Sequence, residues 1–286
     1  MSSPSRALVV GIGDIHGRFH RVQEWLAALE QSLGREIDLC LAVGDVEAFQ
    51  KADDHRRKAV KRQMPAEFAE YASGARAPHR PISFIGGNNE DFEALETMPE
   101  GGELAQGFTY LGRSGVRRFG DLQVAYVSGI YAPKHVNEAR VPPTTRETLK
   151  HAGYFRMPEL AALADVHRPD LMLTHEWPRG LFPRGATGKV ERPWMGNPLT
   201  QKLVEAVQPK WLLCGHSHQA HAATLKFGPG ESTHVACLDQ ASKPETAVLW
   251  MEWEKGVPQR VGWGVTGEVA WTAGQPWDVT RIPRSL

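Results

Sequence analysis

Cysteine is scarce in this chain: only Cys40, Cys214 and Cys237 occur in 286 residues. Three thiols make a disulfide framework unlikely and point to a reducing compartment. Cys40 and Cys214 sit inside apolar runs and read as small buried hydrophobes. Net charge is missing too, with 33 basic residues against 33 acidic ones. No global field draws the chain to nucleic acid, so any such binding rests on a local patch. Long apolar runs are absent, and the short one after residues 1–7 is too brief for a signal-peptide core or a membrane span. A cytoplasmic protein with no membrane partner is expected. The chain has no internal repeat and no long low-complexity segment.

What is present is one pattern, repeated five times: a short apolar run, then a small polar cluster. Residues 7–12 lead into Gly13-Asp14-Ile15-His16-Gly17, and residues 39–43 into Gly44-Asp45. Residues 82–85 lead into Gly86-Gly87-Asn88-Asn89-Glu90, residues 171–173 into Thr174-His175-Glu176, and residues 211–214 into Gly215-His216-Ser217-His218. Apolar runs of this length read as buried strands of an α/β sheet. Ligand sites of open α/β sheets lie at the carboxyl ends of strands, so the five clusters can meet at one edge.

Helices are expected between these runs. Residues 19–33 place Val22, Leu26 and Leu29 at helical spacing, with Gly34 just past the end. Residues 158–164 and 198–207 read as helices with Pro in the first turn. Residues 51–71 read as a polar helix outside the core. Residues 124–127 and 247–253 are expected as strands of a second sheet. The stretch 131–157 has no clear period and is rich in Pro, Thr, Arg and His, which marks a functional loop. A main domain over 1–254 is expected, with a Trp-rich tail at 255–286 packed on it or at an interface. The basic run His55–Arg62 reads either as a solvated helix face or as a phosphate-backbone contact.

The polar clusters carry metal chemistry. Asp14 and His16 are two apart, so on an extended chain they point the same way. His216 and His218 share that spacing. Asp45 adds a carboxylate able to bridge two ions, Asn88 a carbonyl oxygen, and His175 a further imidazole. Imidazole with carboxylate suits Mn, Fe or Zn. Seven ligands are too many for one tetrahedral ion and about right for two.

In order and spacing these motifs resemble the signature of the calcineurin-like metallophosphoesterases. The resemblance implies an α/β fold of two facing β-sheets flanked by helices. It also implies one ion on Asp14, His16, Asp45 and His218, and a second on Asp45, Asn88, His175 and His216. A narrower likeness is to the RNA lariat debranching enzymes, which hydrolyse the 2′–5′ phosphodiester of branched RNA. It rests on Gly44-Asp45-Val46-Glu47-Ala48, which lacks the second Asp of many family members, and on Tyr110-Leu111-Gly112, Val127–Tyr131 and His175–Arg179. Residues 131–157 stand where that subfamily carries its branch-recognition loop. Tyr131, His135 and Trp177 are the expected substrate contacts.

The expected chemistry is in-line displacement between two divalent ions, with a phosphodiester, RNA included, as the partner. Asp14 and Asp45 supply two negative charges against four on the ions, so an anionic phosphate is attracted. One departure stands out. The family motif is Gly-Asn-His, with the His as general acid, and here that position is Asn89, which cannot deliver a proton near pH 7. His20, Glu90 and His135 are alternative donors, or Asn89 shapes the loop. A phosphomonoesterase and a metal-bound nucleic-acid-binding module with weak turnover are the competing readings. The first motif also resembles that of Ser/Thr phosphatases and dinucleoside tetraphosphatases, but their Asp-Arg-Gly is absent.

Overall fold

The computed structural model describes residues 6–51, 66–181 and 196–277. The chain opens with β1 (Arg6–Ile12), α1 (Phe19–Leu33), β2 (Leu39–Ala42), α2 (Phe68–Ala72), β3 (Ile82–Phe84) and α3 (Phe92–Leu95). It continues through β4 (Gly102–Ala105), β5 (Phe108–Tyr110), β6 (Ser114–Phe119), β7 (Leu122–Val127), α4 (Arg146–Ala152) and α5 (Met157–Ala161). Then come β8 (Leu171–Thr174), α6 (Pro198–Val207), β9 (Trp211–Cys214), β10 (His221–Gly228) and β11 (Glu231–Cys237). Finally come α7 (Pro244–Ala247), β12 (Val248–Glu254), β13 (Val257–Trp263) and β14 (Trp271–Thr272).

The strands form two mixed sheets. The first runs β14-β13-β12-β1-β2-β3-β5-β4 and the second β10-β11-β9-β8-β7-β6. The period of two along each strand builds the layers. Leu8, Val10 and Ile12 of β1 enter a core with α1, while Val9 faces the other way. Leu171 and Leu173 of β8 and Trp211 and Leu213 of β9 meet Val9 in a core between the sheets. Met172, Leu212 and Cys214 face a third core with Leu203, Val204 and Val207 of α6. The fold is therefore a sandwich of two facing sheets with helices on both outer faces.

The expectation of one sheet edge for all five clusters needs correction. β8 and β9, which lead to His175 and His216, belong to the second sheet. Residues 248–254 do not: β12 pairs antiparallel with β1 inside the first sheet. Buried strands of either sheet carry the same apolar pattern, so the pattern alone does not sort them. The carboxyl ends of β1, β2 and β3 still converge with those of β8 and β9, because both groups of strands are parallel within their sheets.

α1 matches its expected span, ended by Gly34 at φ 63°, whose N–H donates to the Glu30 carbonyl. Residues 131–157 are not wholly loop, because α4 occupies 146–152. Its N-terminus carries a capping box in which the side chains of Thr145 and Thr148 serve each other's backbone N–H. The basic run His55–Arg62 and most of the expected helix at 51–71 lie outside the described residues. Beyond residue 254, β13 extends the first sheet, and Trp263, Trp271 and Trp277 are buried in the inter-sheet core with Trp253 of β12. Among the described residues no helix is long and apolar enough to cross a membrane.

Candidate metal centre

Each strand end delivers its ligand through a tight turn. Of eight non-glycine residues with positive φ among the described residues, five lie here: His16, Asp45, Glu47, His216 and His218. Left-handed backbone at side-chain-bearing residues costs energy and persists where surroundings over-determine it, a recurrent property of functional sites. Here the surroundings are cross-loop bonds. His16 N–H donates to the Asp45 carbonyl at 2.8 Å, and Gly215 N–H to that of His175 at 2.9 Å.

Two groups of donor atoms result. Asp14, His16, Asp45 and His218 form one, and Asp45, His175 and His216 the other, each with its donor atoms within 4.8 Å of one another. Asp45 is common to both. Asn88 joins the second group, its Oδ1 standing 3.4 Å from His175 Nε2. Asp14, His16, Asp45 and His175 are fully or almost fully buried. His16 Nε2 and His218 Nε2 face each other at 3.1 Å, both beside Asp14 Oδ2. Two ring nitrogens aimed at each other and at a carboxylate form a donor set suited to a cation. The residues present therefore fit divalent cations by the chemistry of their donor atoms.

The imidazoles are held from behind. His16 Nδ1 lies 2.8 Å from Glu47 Oε1, and His175 Nδ1 lies 2.9 Å from the Val43 carbonyl. Both contacts favour the tautomer whose Nε2 lone pair faces the cluster. Sequence reading missed Glu47 as a partner, although a carboxylate two residues beyond Asp45 was the available signal. Replacing it by alanine is expected to weaken metal affinity about tenfold to a hundredfold. Competition with a chelating dye measures this, and an unchanged affinity would remove Glu47 from the centre.

Buried charges of opposite sign offset one another in the site. Burial opposes a charged Asp45, but His175, His16 and the Asn89 amide outweigh it and hold the carboxyl well below the usual range. Burial likewise opposes a charged His175, yet the Asp45 and Asp14 carboxylates prevail and raise it to about 10. Burial and the charge on His175 lower His216 to about 4.

The expected proton donors are placed differently. Asn89 turns to Asp45: its N–H donates to Oδ1 at 2.7 Å and its Nδ2 to Oδ2 at 2.6 Å. Glu90 is buried, and its carboxylate accepts from the N–H groups of Val46, Glu47 and Gly87 at 2.8–3.0 Å. It thus ties the β2 and β3 turns together. Burial and the Asp45 charge push Glu90 up to about 8, against those three donors. His20, on α1, faces Glu67 and Glu70, with Nε2 3.1 Å from Glu70 Oε2. His135 pairs with Glu138 at 2.7 Å. Of the expected substrate contacts, Trp177 packs on His216 at 5.8 Å between ring centroids. Tyr131 donates its N–H to Glu176 Oε2 at 2.6 Å and stacks on Phe155.

Comparison with known proteins converges on the same class. Residues 7–220 match the family described as calcineurin-like phosphoesterase. The lariat debranching enzyme of Danio rerio is 31% identical over 77% of this chain and 42% of its own length. That of Mus musculus is 28% identical over 88% of this chain and 50% of its own. The chain thus spans about half the length of the curated relatives it matches. The solved structure of GAP50, the anchor in the inner membrane complex of Plasmodium, aligns over 98% of this chain and 95% of that one with a TM-score of 0.52. At 8% identity that likeness shows the fold alone.

Proposed function

The chain belongs to the calcineurin-like phosphoesterase family, and from that premise we propose that it is a binuclear-metal phosphodiesterase. The observation that carries this is the pair of donor groups sharing Asp45. Asp14, His16, Asp45 and His218 hold one ion, and Asp45, Asn88, His175 and His216 the other, with Mn, Fe or Zn as the fitting metals. The pair supplies Lewis-acid polarisation of the phosphoryl group and a water of lowered pKa.

The chain's own residues do the rest. Glu47 and the Val43 carbonyl fix the imidazole tautomers, and Asn89 fixes both oxygens of Asp45 before substrate arrives. That preorganisation spares reorganisation as charge develops on phosphate. Tyr131, His135 and Trp177 are assigned to the substrate side, on the walls formed by the 131–157 segment and the β8 turn. The likeness to lariat debranching enzymes supports a nucleic-acid diester, 2′–5′ branched RNA among them, as substrate. Three unpaired cysteines support a cytoplasmic setting.

Diesters are expected to be cleaved faster than monoesters by the metal-reconstituted protein. The test compares bis(4-nitrophenyl) phosphate, 4-nitrophenyl phosphate and a 2′–5′ branched RNA under matched Mn²⁺. A preference for the monoester would make the protein a phosphomonoesterase, and binding of RNA without turnover would make it a binding module.

A further inference from the structure

With Asn89 where the family places a histidine, the leaving oxygen lacks an acid at that position. The Asn89 amide is committed to Asp45, and its Oδ1, a buried acceptor, has no hydrogen-bond partner among the described residues. An acceptor does not protonate a leaving group. Both Glu90 oxygens are held by backbone N–H groups, and His20 is turned to α2.

One imidazole pair belongs to the segment whose backbone packs on the Asn88 turn. Gly153 packs so closely there that a Cβ on it would lie 3.2 Å from the Asn88 Cα. Two residues before it, in the last turn of α4, His151 lies 4.0 Å from His135 between ring centroids and 5.7 Å from Tyr154. His135 Nδ1 is in turn 2.7 Å from Glu138 Oε2. Both rings are partly open to solvent, with side chains 19% and 23% exposed. The wall is rigid. Arg113 Nη2 donates to the Ala152 carbonyl at 2.9 Å and Arg140 Nη2 to that of Tyr154 at 3.0 Å. Glu96 and Glu159 pin both guanidinium groups. Ile130 N–H binds the Gly153 carbonyl, and Gly129 N–H that of Gly86, which couples the wall to the Asn88 turn.

We propose that His151, supported by His135 and Glu138, protonates the leaving oxygen in place of a residue at position 89. This rests on the phosphodiesterase reading above. An oxygen from water bonds to phosphorus and its proton passes to solvent, while the bond from phosphorus to the leaving oxygen breaks and its electron pair stays on that oxygen. The His151 N–H proton goes to that oxygen, an alcohol departs, and the neutral imidazole regains a proton from solvent. The charged groups that face the pair are Glu138, against His135, and Glu147, 4.0 Å from His151, with the Arg156 guanidinium on the His151 carbonyl. Tyr154 is the remaining titratable neighbour.

The test uses the Mn²⁺-loaded full chain and its His151→Gln variant. On a 2′–5′ linked diribonucleotide, kcat is expected to fall about a hundredfold, the low end of general acid catalysis. On bis(4-nitrophenyl) phosphate, whose leaving group departs without a proton, it should stay within about twofold. Wild type should lose rate on the ribose diester with rising pH where an imidazole gives up its proton, and the variant should lack that limb. Equal losses on both substrates, or none on either, would overturn the assignment. Should wild type cleave neither diester, the phosphodiesterase reading fails. NMR then judges His151 separately: inorganic phosphate on the Mg²⁺-loaded protein should move its titration midpoint up by about half a pH unit, as an added anion favours the imidazolium. No movement would overturn the proposal.

Discussion

Asp45→Ala is expected to empty the centre of both ions and lower kcat/KM on any phosphodiester by about a thousandfold or more. The size follows from chemistry: Lewis-acid stabilisation of the transition state contributes several kcal/mol, and each 1.4 kcal/mol is about tenfold in rate. The carboxylate also does structural work. Its Oδ1 accepts from the N–H groups of Asn88 and Asn89 at 2.8 and 2.7 Å, and its Oδ2 from Asn89 Nδ2 at 2.6 Å. Alanine leaves three donors to find new acceptors, a cost of about 1–3 kcal/mol for each group that stays buried and unmet. Elemental analysis and a metal-dependent melting curve read both effects. Two ions at full occupancy in the variant would refute the bridging role.

The second large effect is expected from a single methyl group. Gly87 lies against the centre, and a Cβ there would overlap the Asp45 carboxylate and backbone nitrogen and stand 2.8 Å from His175 Nε2. None of these is the far end of a flexible side chain, so the ligands themselves must move. Overpacking of this kind costs about 1–3 kcal/mol. A displacement near 1 Å in a catalytic array lowers rate about a hundredfold. Gly86 provides the matched control, because a Cβ there meets Leu95 Cδ1 at 3.4 Å, an ordinary contact. Gly87→Ala should therefore lose metal affinity, activity and melting temperature, while Gly86→Ala keeps them close to wild type. Equal behaviour of the two would show that the β3 turn tolerates more room than the geometry allows.

That glycine shows what a reader of the sequence can and cannot see. The five strand ends are legible because burial forces apolar runs and chemistry places a polar cluster after each one. α1 is legible to the residue because Gly34 ends it in the left-handed region. The reason glycine opens the Gly44 and Gly215 clusters is visible only in three dimensions, where a Cβ on Gly215 would strike the Asp14 carboxylate and one on Gly44 would lie 2.7 Å from His175 Nδ1. Sheet membership was not legible, because β12 and β8 are equally apolar and their partners lie far away in sequence. α4 was hidden for another reason. Only Ala152 of its seven residues is buried, so no apolar stripe marks it, and it is held by its cap and by the two arginines. The partnership of Glu47 with His16 spans 31 residues and leaves no local pattern.

The most direct measurement is anomalous diffraction from crystals of the Mn²⁺-reconstituted protein. Two peaks about 3.5–4 Å apart are expected, the usual spacing of a binuclear hydrolytic centre, with one Asp45 oxygen at or near both. One peak should touch Asp14, His16 and His218, and the other Asn88, His175 and His216. A single peak, or two peaks that Asp45 does not join, would contradict the binuclear centre and the diesterase chemistry built on it.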